Sequence, residues 1–263
     1  MAILDYTERL PNTPKWRKFT YLLKDKAPIP ALAYAAFYAA AAGISKSFND
    51  IAVKTSFNLL VETISHAGRG TAFPKHLTGS KREDVDSLPR LANNLTKRLE
   101  QQSGSERPET DAARMARLAA SEALIAIASY NYPDPFENTS EQINSTLLSF
   151  YKQRGVLGIA KEYISRYSIR YIHYFINREL PYHIGGDRLL SGIEAYEKFL
   201  ISFNAHYIES AIVIEKSDKQ LQDYYSLFTL PDDGRYMYTD LLLKHALKIY
   251  GSELRIKGTN NAH

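Results

Sequence analysis

The stretch Glu162-Tyr163-Ile164-Ser165-Arg166-Tyr167-Ser168-Ile169-Arg170-Tyr171-Ile172-His173-Tyr174-Phe175-Ile176-Asn177-Arg178 decides how this chain is read. At about 100° per residue it separates into three stripes, which is the pattern of an amphipathic helix. Ile164, Ile169, Ile172, Phe175 and Ile176 form an apolar face. Tyr163, Tyr167, Tyr171 and Tyr174 line one flank, and Arg166, Arg170, His173 and Asn177 follow at i, i+4, i+7 and i+11 on the polar side. A tyrosine ledge beside a cationic row suits contact with a partner. It equally suits a helix that packs its tyrosines at the core edge and solvates its arginines.

Helical signals continue outward in both directions. Thr13-Pro14 is a start signal with proline in the first turn, and Trp16, Phe19 and Leu23 then share one side. After Pro28-Ile29-Pro30, residues 27–45 carry no charge and are dominated by alanine. Only about 13 residues separate the second proline from Gly43, short of the ~20 that cross a bilayer. A tightly packed central helix is the expectation there, without stable membrane insertion.

A long helix is predicted from Ser47, with Val53, Phe57, Leu60, Val61 and Ile64 on one face and Gly68 closing it. Another starts near Ser87 with the stripe Leu88, Leu91, Leu95 and Leu99. Thr110-Asp111 caps an alanine-rich helix to about Ser129. Further helices are predicted at 140–153, 157–180, 188–216, 218–228 and 239–257, the last capped by Thr239-Asp240. No convincing period-2 stretch and no solenoid repeat appears. The predicted fold is all-α, an irregular bundle of about eight to ten helices, as one domain or two closely packed lobes. The breaker-rich segment 103–110 is the candidate hinge between an N-terminal lobe, 1–102, and a tyrosine-rich lobe, 111–257. Residues 258–263 are expected to be a disordered tail.

Composition narrows the chemistry. The chain has 263 residues, no cysteine, 44% hydrophobic residues and a net charge of +4. Without cysteine there is no disulfide scaffold, thiolate zinc site or cysteine nucleophile. The N-terminus has early charges and no apolar run, so no secretory signal is read, and a cytoplasmic protein is expected. Up to residue 110 there are 16 Lys/Arg against 11 Asp/Glu, and beyond it 17 against 18. The basic excess therefore sits early, which permits an acidic partner without requiring nucleic acid. Of the 19 tyrosines, 13 lie from residue 151 onward, a bias towards contact surfaces that buried tyrosines would explain as well.

Catalytic signatures are absent. There is no P-loop, no His-Glu-x-x-His, no Gly-x-Ser-x-Gly and no His-Asp dipeptide, and no lysine follows an acidic residue by two positions. Two helical pairs, His206/Glu209 and Glu62/His66, could supply two metal ligands each, fewer than a site needs. Ser149 and Lys152 have a serine–lysine spacing but no companion motif. No cofactor or metal is expected. An enzyme assembled from scattered groups such as His173, His206 and Glu209 stays as an alternative. The loop after His66 is long and glycine-rich; its Arg69, Lys75, Lys81 and Arg82, with backbone N–H groups, could hold an anion, although Glu83, Asp84 and Asp86 partly cancel that field. The leading expectation is a helical, non-enzymatic accessory subunit with a protein partner or a second copy of itself. A nucleic-acid-binding factor using the loop cations together with Arg166 and Arg170 is the alternative.

Overall fold

A computed structural model describes residues 10–68, 87–102, 109–131, 139–186, 188–216 and 232–260, except for the side chains of 66–68, 102 and 232–237. The fold is all-α. Its helices are α1 (Pro14–Lys24), α2 (Ile29–Ser47), α3 (Ile51–Gly68), α4 (Leu88–Gln102), α5 (Asp111–Ala128), α6 (Ser140–Glu179), α7 (Ile193–Ser210), α8 (Ile212–Lys216) and α9 (Asp232–Asn260). A 3-10 turn over Leu180–His183 follows α6, and one isolated bridge joins Ile184 to Leu190.

Local chemistry explains most boundaries. The Thr13 hydroxyl accepts from the Trp16 N–H, and Thr110 accepts from Ala113 N–H at 3.1 Å, so both expected caps form. Helix α6 runs through the gap expected between 153 and 157, but Gly155 breaks it there, with φ 56° and ψ −154°. Only glycine adopts that backbone without strain.

Five expected boundaries need correction. Helix α2 does not stop at Gly43 but continues to Ser47. Gly43 serves packing: a Cβ there would lie 2.1 Å from the Tyr171 hydroxyl. Asp50, rather than Ser47, opens α3 by accepting from the Ala52 N–H at 2.9 Å. Thr239 lies inside α9, not at its cap, and donates its hydroxyl to Asn58 Oδ1 at 2.6 Å. The expected tail is helical to Asn260, with Gly258 buried against Tyr34. The expected helix at 188–216 begins later, at Ile193, and is interrupted at Ala211. That at 218–228 lies outside the described residues.

Two compact units group the chain. The first gathers Met1–Ile44, Ser168–Ser210 and Tyr250–His263, and the second Ser45–Tyr167 and Ala211–Ile249. In the second, α3, α4 and α5 pack on one another, although 103–110 separates α4 from α5 in sequence. Arg117 of α5 ties that pair together, meeting Glu109 and Glu100 at 2.9 Å each. Residues 103–108 of the expected hinge lie outside the described residues.

The first unit is centred on aromatic packing. Trp16 of α1 lies 5.3 Å from Phe175 of α6, and Phe37 of α2 lies 5.3 Å from Tyr250 of α9. Tyr207 donates to the Ala33 carbonyl and Tyr250 to the Tyr207 carbonyl. Burial raises both hydroxyls well above their ordinary range. Among the described residues no helix is long and apolar enough to cross a membrane. The charge-free run at 27–45 is therefore α2 for most of its length, with Ala31, Ala33, Ala35, Ala36 and Ala40 buried.

Candidate functional site

The quoted stretch becomes the C-terminal part of α6, and its stripes meet different fates. Tyr163 and Tyr167 are fully enclosed. Tyr163 donates to the Val53 carbonyl at 3.0 Å and packs on Phe57, and Tyr167 donates to Ser47 Oγ at 2.7 Å and packs on Phe48. Burial raises the Tyr163 hydroxyl well above its ordinary range, with Tyr167 and Asp50 adding to it. The expected tyrosine ledge is corrected accordingly: these two rings form core, not surface. Tyr171 is half-buried and Tyr174 is exposed, the latter beneath the Arg178 guanidinium at 4.6 Å.

The cationic row is also largely committed. Arg166 donates to the Glu162 carbonyl at 3.1 Å and to the Glu162 carboxylate. Arg170 is half-buried, and the His173 ring stacks on Phe203 at 6.4 Å. The loop cations Arg69, Lys75, Lys81 and Arg82 lie outside the described residues, as does the His66 side chain. His206 is half-buried and Glu209 exposed. Burial lowers the His206 pKa, Lys257 lowers it further, and Glu209 offsets part of the shift. Among the described residues no three His, Cys, Asp or Glu side chains gather to hold a metal. Ser149 takes a hydrogen bond from Gln153 at 3.0 Å, not from Lys152.

Around the Gly155 break the structure assembles something the sequence analysis did not single out. Arg154, just before the break, pairs with Glu215 of α8 at 2.7 Å. Lys161, past the break, reaches Glu215 at 3.3 Å and Glu162 at 2.9 Å. With Arg166 on the other Glu162 oxygen, a chain of alternating charge runs Arg154–Glu215–Lys161–Glu162–Arg166. Arg154 also donates to the Tyr130 hydroxyl at 2.7 Å, its guanidinium lying 4.9 Å from that ring's centre. Every side chain of the five is at least three-quarters buried, so the attraction is less screened than at the surface. Burial pushes the Glu162 carboxyl up, but Arg166 and Lys161 outweigh it and hold the carboxyl below its usual range.

A cleft of about 510 Å³ adjoins this chain, lined by Tyr151, Lys152, Arg154, Gly155, Leu157 and Glu215. In its walls Arg154 and Glu215 neutralise each other. Such a site fixes the angle of a broken helix more readily than it activates a nucleophile, because Arg154, Lys161 and Arg166 are each held by Glu215 or Glu162. The signals for Lys161, Glu162 and Arg166 were local and visible. Glu215 was not, since only the fold brings it next to Arg154. The fold and this site together define an all-helical protein with a clamped helix break. Comparison with protein-family models, with curated proteins and with solved structures gives no match.

Proposed function

We propose that the chain is a non-enzymatic accessory subunit that binds within a cytoplasmic multi-protein assembly. The observation that carries this reading is the outer face of α7. Ile193 and Ile201, two helical turns apart, are 74% and 69% exposed. Half-buried Ile208 lies on the same side and Leu200 at its edge, with exposed Glu197 between the two isoleucines, while Phe199, Phe203 and Tyr207 fill the core behind. Isolated exposed apolar residues are ordinary, but a stripe along one helix is the form in which a helix meets a partner's groove.

The test is affinity capture from native lysate after nuclease treatment, with light scattering on the purified chain. We expect a protein partner, or a second copy, to be retained by the natural chain and lost from Ile193→Glu/Ile201→Glu while its thermal melt is unchanged. A chain that stays monomeric and captures nothing, or a variant that keeps every partner, would remove the reading.

A further inference from the structure

Helix α1 carries a surface that neither the expected sites nor the α7 stripe includes. Trp16, Phe19 and Leu23 point into the core, and the opposite side consists of Arg17, Lys18, Tyr21 and Lys24 at i, i+1, i+4 and i+7. All four are exposed, Tyr21 to 63%. No acidic residue occurs in α1, and among the described residues none of its three outward cations makes an ion pair. Lys15, at the edge, lies over the Tyr38 ring at 4.2 Å.

One further cation follows at a conformational cost. Lys26 has φ 53°, in the left-handed region where a helix end ordinarily places glycine. The end is a Schellman motif: Lys26 N–H donates to Leu23 and Ala27 N–H to Leu22, at 3.3 and 3.0 Å. Only Asp25 interrupts the positive charge between Pro14 and Lys26.

We propose that this face of α1 binds single-stranded nucleic acid, its cations on the phosphates and Tyr21 stacking on a base. An acidic protein patch would be served by the charges alone; the exposed ring amid them adds the stacking platform that unpaired bases use. A lipid surface fits poorly, because a membrane-surface helix inserts its apolar face, and that of α1 is already buried. Duplex fits less well than a single strand, because its bases are stacked on one another and offer no free face to Tyr21.

The test is fluorescence anisotropy of the full chain with labelled oligo-dT across salt, with labelled duplex and anionic vesicles as the other arms. On a single strand each cation contributes about 0.7 to the slope of log affinity against log salt, so Arg17→Gln/Lys18→Gln/Lys24→Gln should flatten it by about 2. Tyr21→Ala should weaken binding about tenfold at unchanged slope. All four positions are exposed, and unchanged thermal melts establish that the variants fold. The proposal is overturned by no oligo-dT binding at low salt, by an unflattened slope in the triple variant, by equal affinity for duplex with Tyr21→Ala silent, or by binding to vesicles only.

Discussion

Helices α1 and α6 are composed of the same residue types, and the fold uses them in opposite ways. Each sets arginine or lysine beside tyrosine on one flank and large apolar side chains on the other. In α6 the tyrosines at 163 and 167 are enclosed, and Arg166 is held by Glu162. In α1 Tyr21 faces water and Arg17, Lys18 and Lys24 meet no carboxylate among the described residues. The difference lies in the neighbours. Glu162 is in the same helix one turn from Arg166, and Glu215 arrives from α8, whereas α1 has no acid of its own. A stripe of tyrosine and arginine therefore announces a surface only where no helix covers the ring and no acid sits a turn away.

The largest contrast should appear on truncating the rings. Tyr163→Ala removes a fully buried ring from Phe57 and its hydroxyl from the Val53 carbonyl, for a loss of about 3–5 kcal/mol in denaturant melts. Tyr21→Ala should stay within about 0.5 kcal/mol of the natural chain. Equal losses at both positions would erase the distinction between the two helices.

The ion chain offers the next test. Glu215→Ala takes one carboxylate from both Arg154 and Lys161, and should cost about 2 kcal/mol, below a fully buried pair because Lys161 keeps Glu162 and Arg154 keeps the Tyr130 hydroxyl. Glu194→Ala, which removes only the exposed pair with Lys198, should cost less than about 0.5 kcal/mol. The pH dependence follows from Glu162. Its folded pKa is depressed, so its stabilisation is present above the unfolded value and is lost as pH falls through the folded one. Thermal melts should drop on that acid limb, and Glu162→Gln should flatten it. Tyr163, Tyr207 and Tyr250 are raised, so their contribution is full below the unfolded tyrosine value and declines as pH rises beyond it.

Backbone changes give smaller effects than losing the buried ring or the ion chain. Gly155→Ala places a side chain at φ 56° and should cost about 1–2 kcal/mol. Lys26→Gly relieves the left-handed lysine and should raise stability by about 1 kcal/mol while weakening oligo-dT binding, a trade between stability and contact. A chain made less stable by Lys26→Gly would contradict the strain assigned to that position.

Much of the fold was legible because its signals are local. Thr13-Pro14 and Thr110-Asp111 cap helices by contacts within four residues, and the break near 155 follows from one glycine. The misread ends have a common cause. Gly43 and Gly258 look like helix stops in sequence, yet they lie where Tyr171 and Tyr34 come close, and that approach is known only from the fold. Thr239 looks like a cap but is used by Asn58, far away in sequence. The candidate sites were harder. Arginine and tyrosine periodicity was visible in α6, but not that Phe48, Phe57 and Glu162 would occupy it. In α1 the apolar triplet and the early basic excess were both visible, and they meet only once Arg17, Lys18, Tyr21 and Lys24 are placed opposite Trp16, Phe19 and Leu23.

The most direct measurement is a parallel salt titration of oligo-dT binding by the natural chain, by Arg17→Gln/Lys18→Gln/Lys24→Gln and by Arg166→Gln. The α1 variant should flatten the salt dependence, and Arg166→Gln should leave its slope unchanged. A slope flattened by Arg166→Gln and untouched by the α1 variant would contradict the division of roles between the two helices.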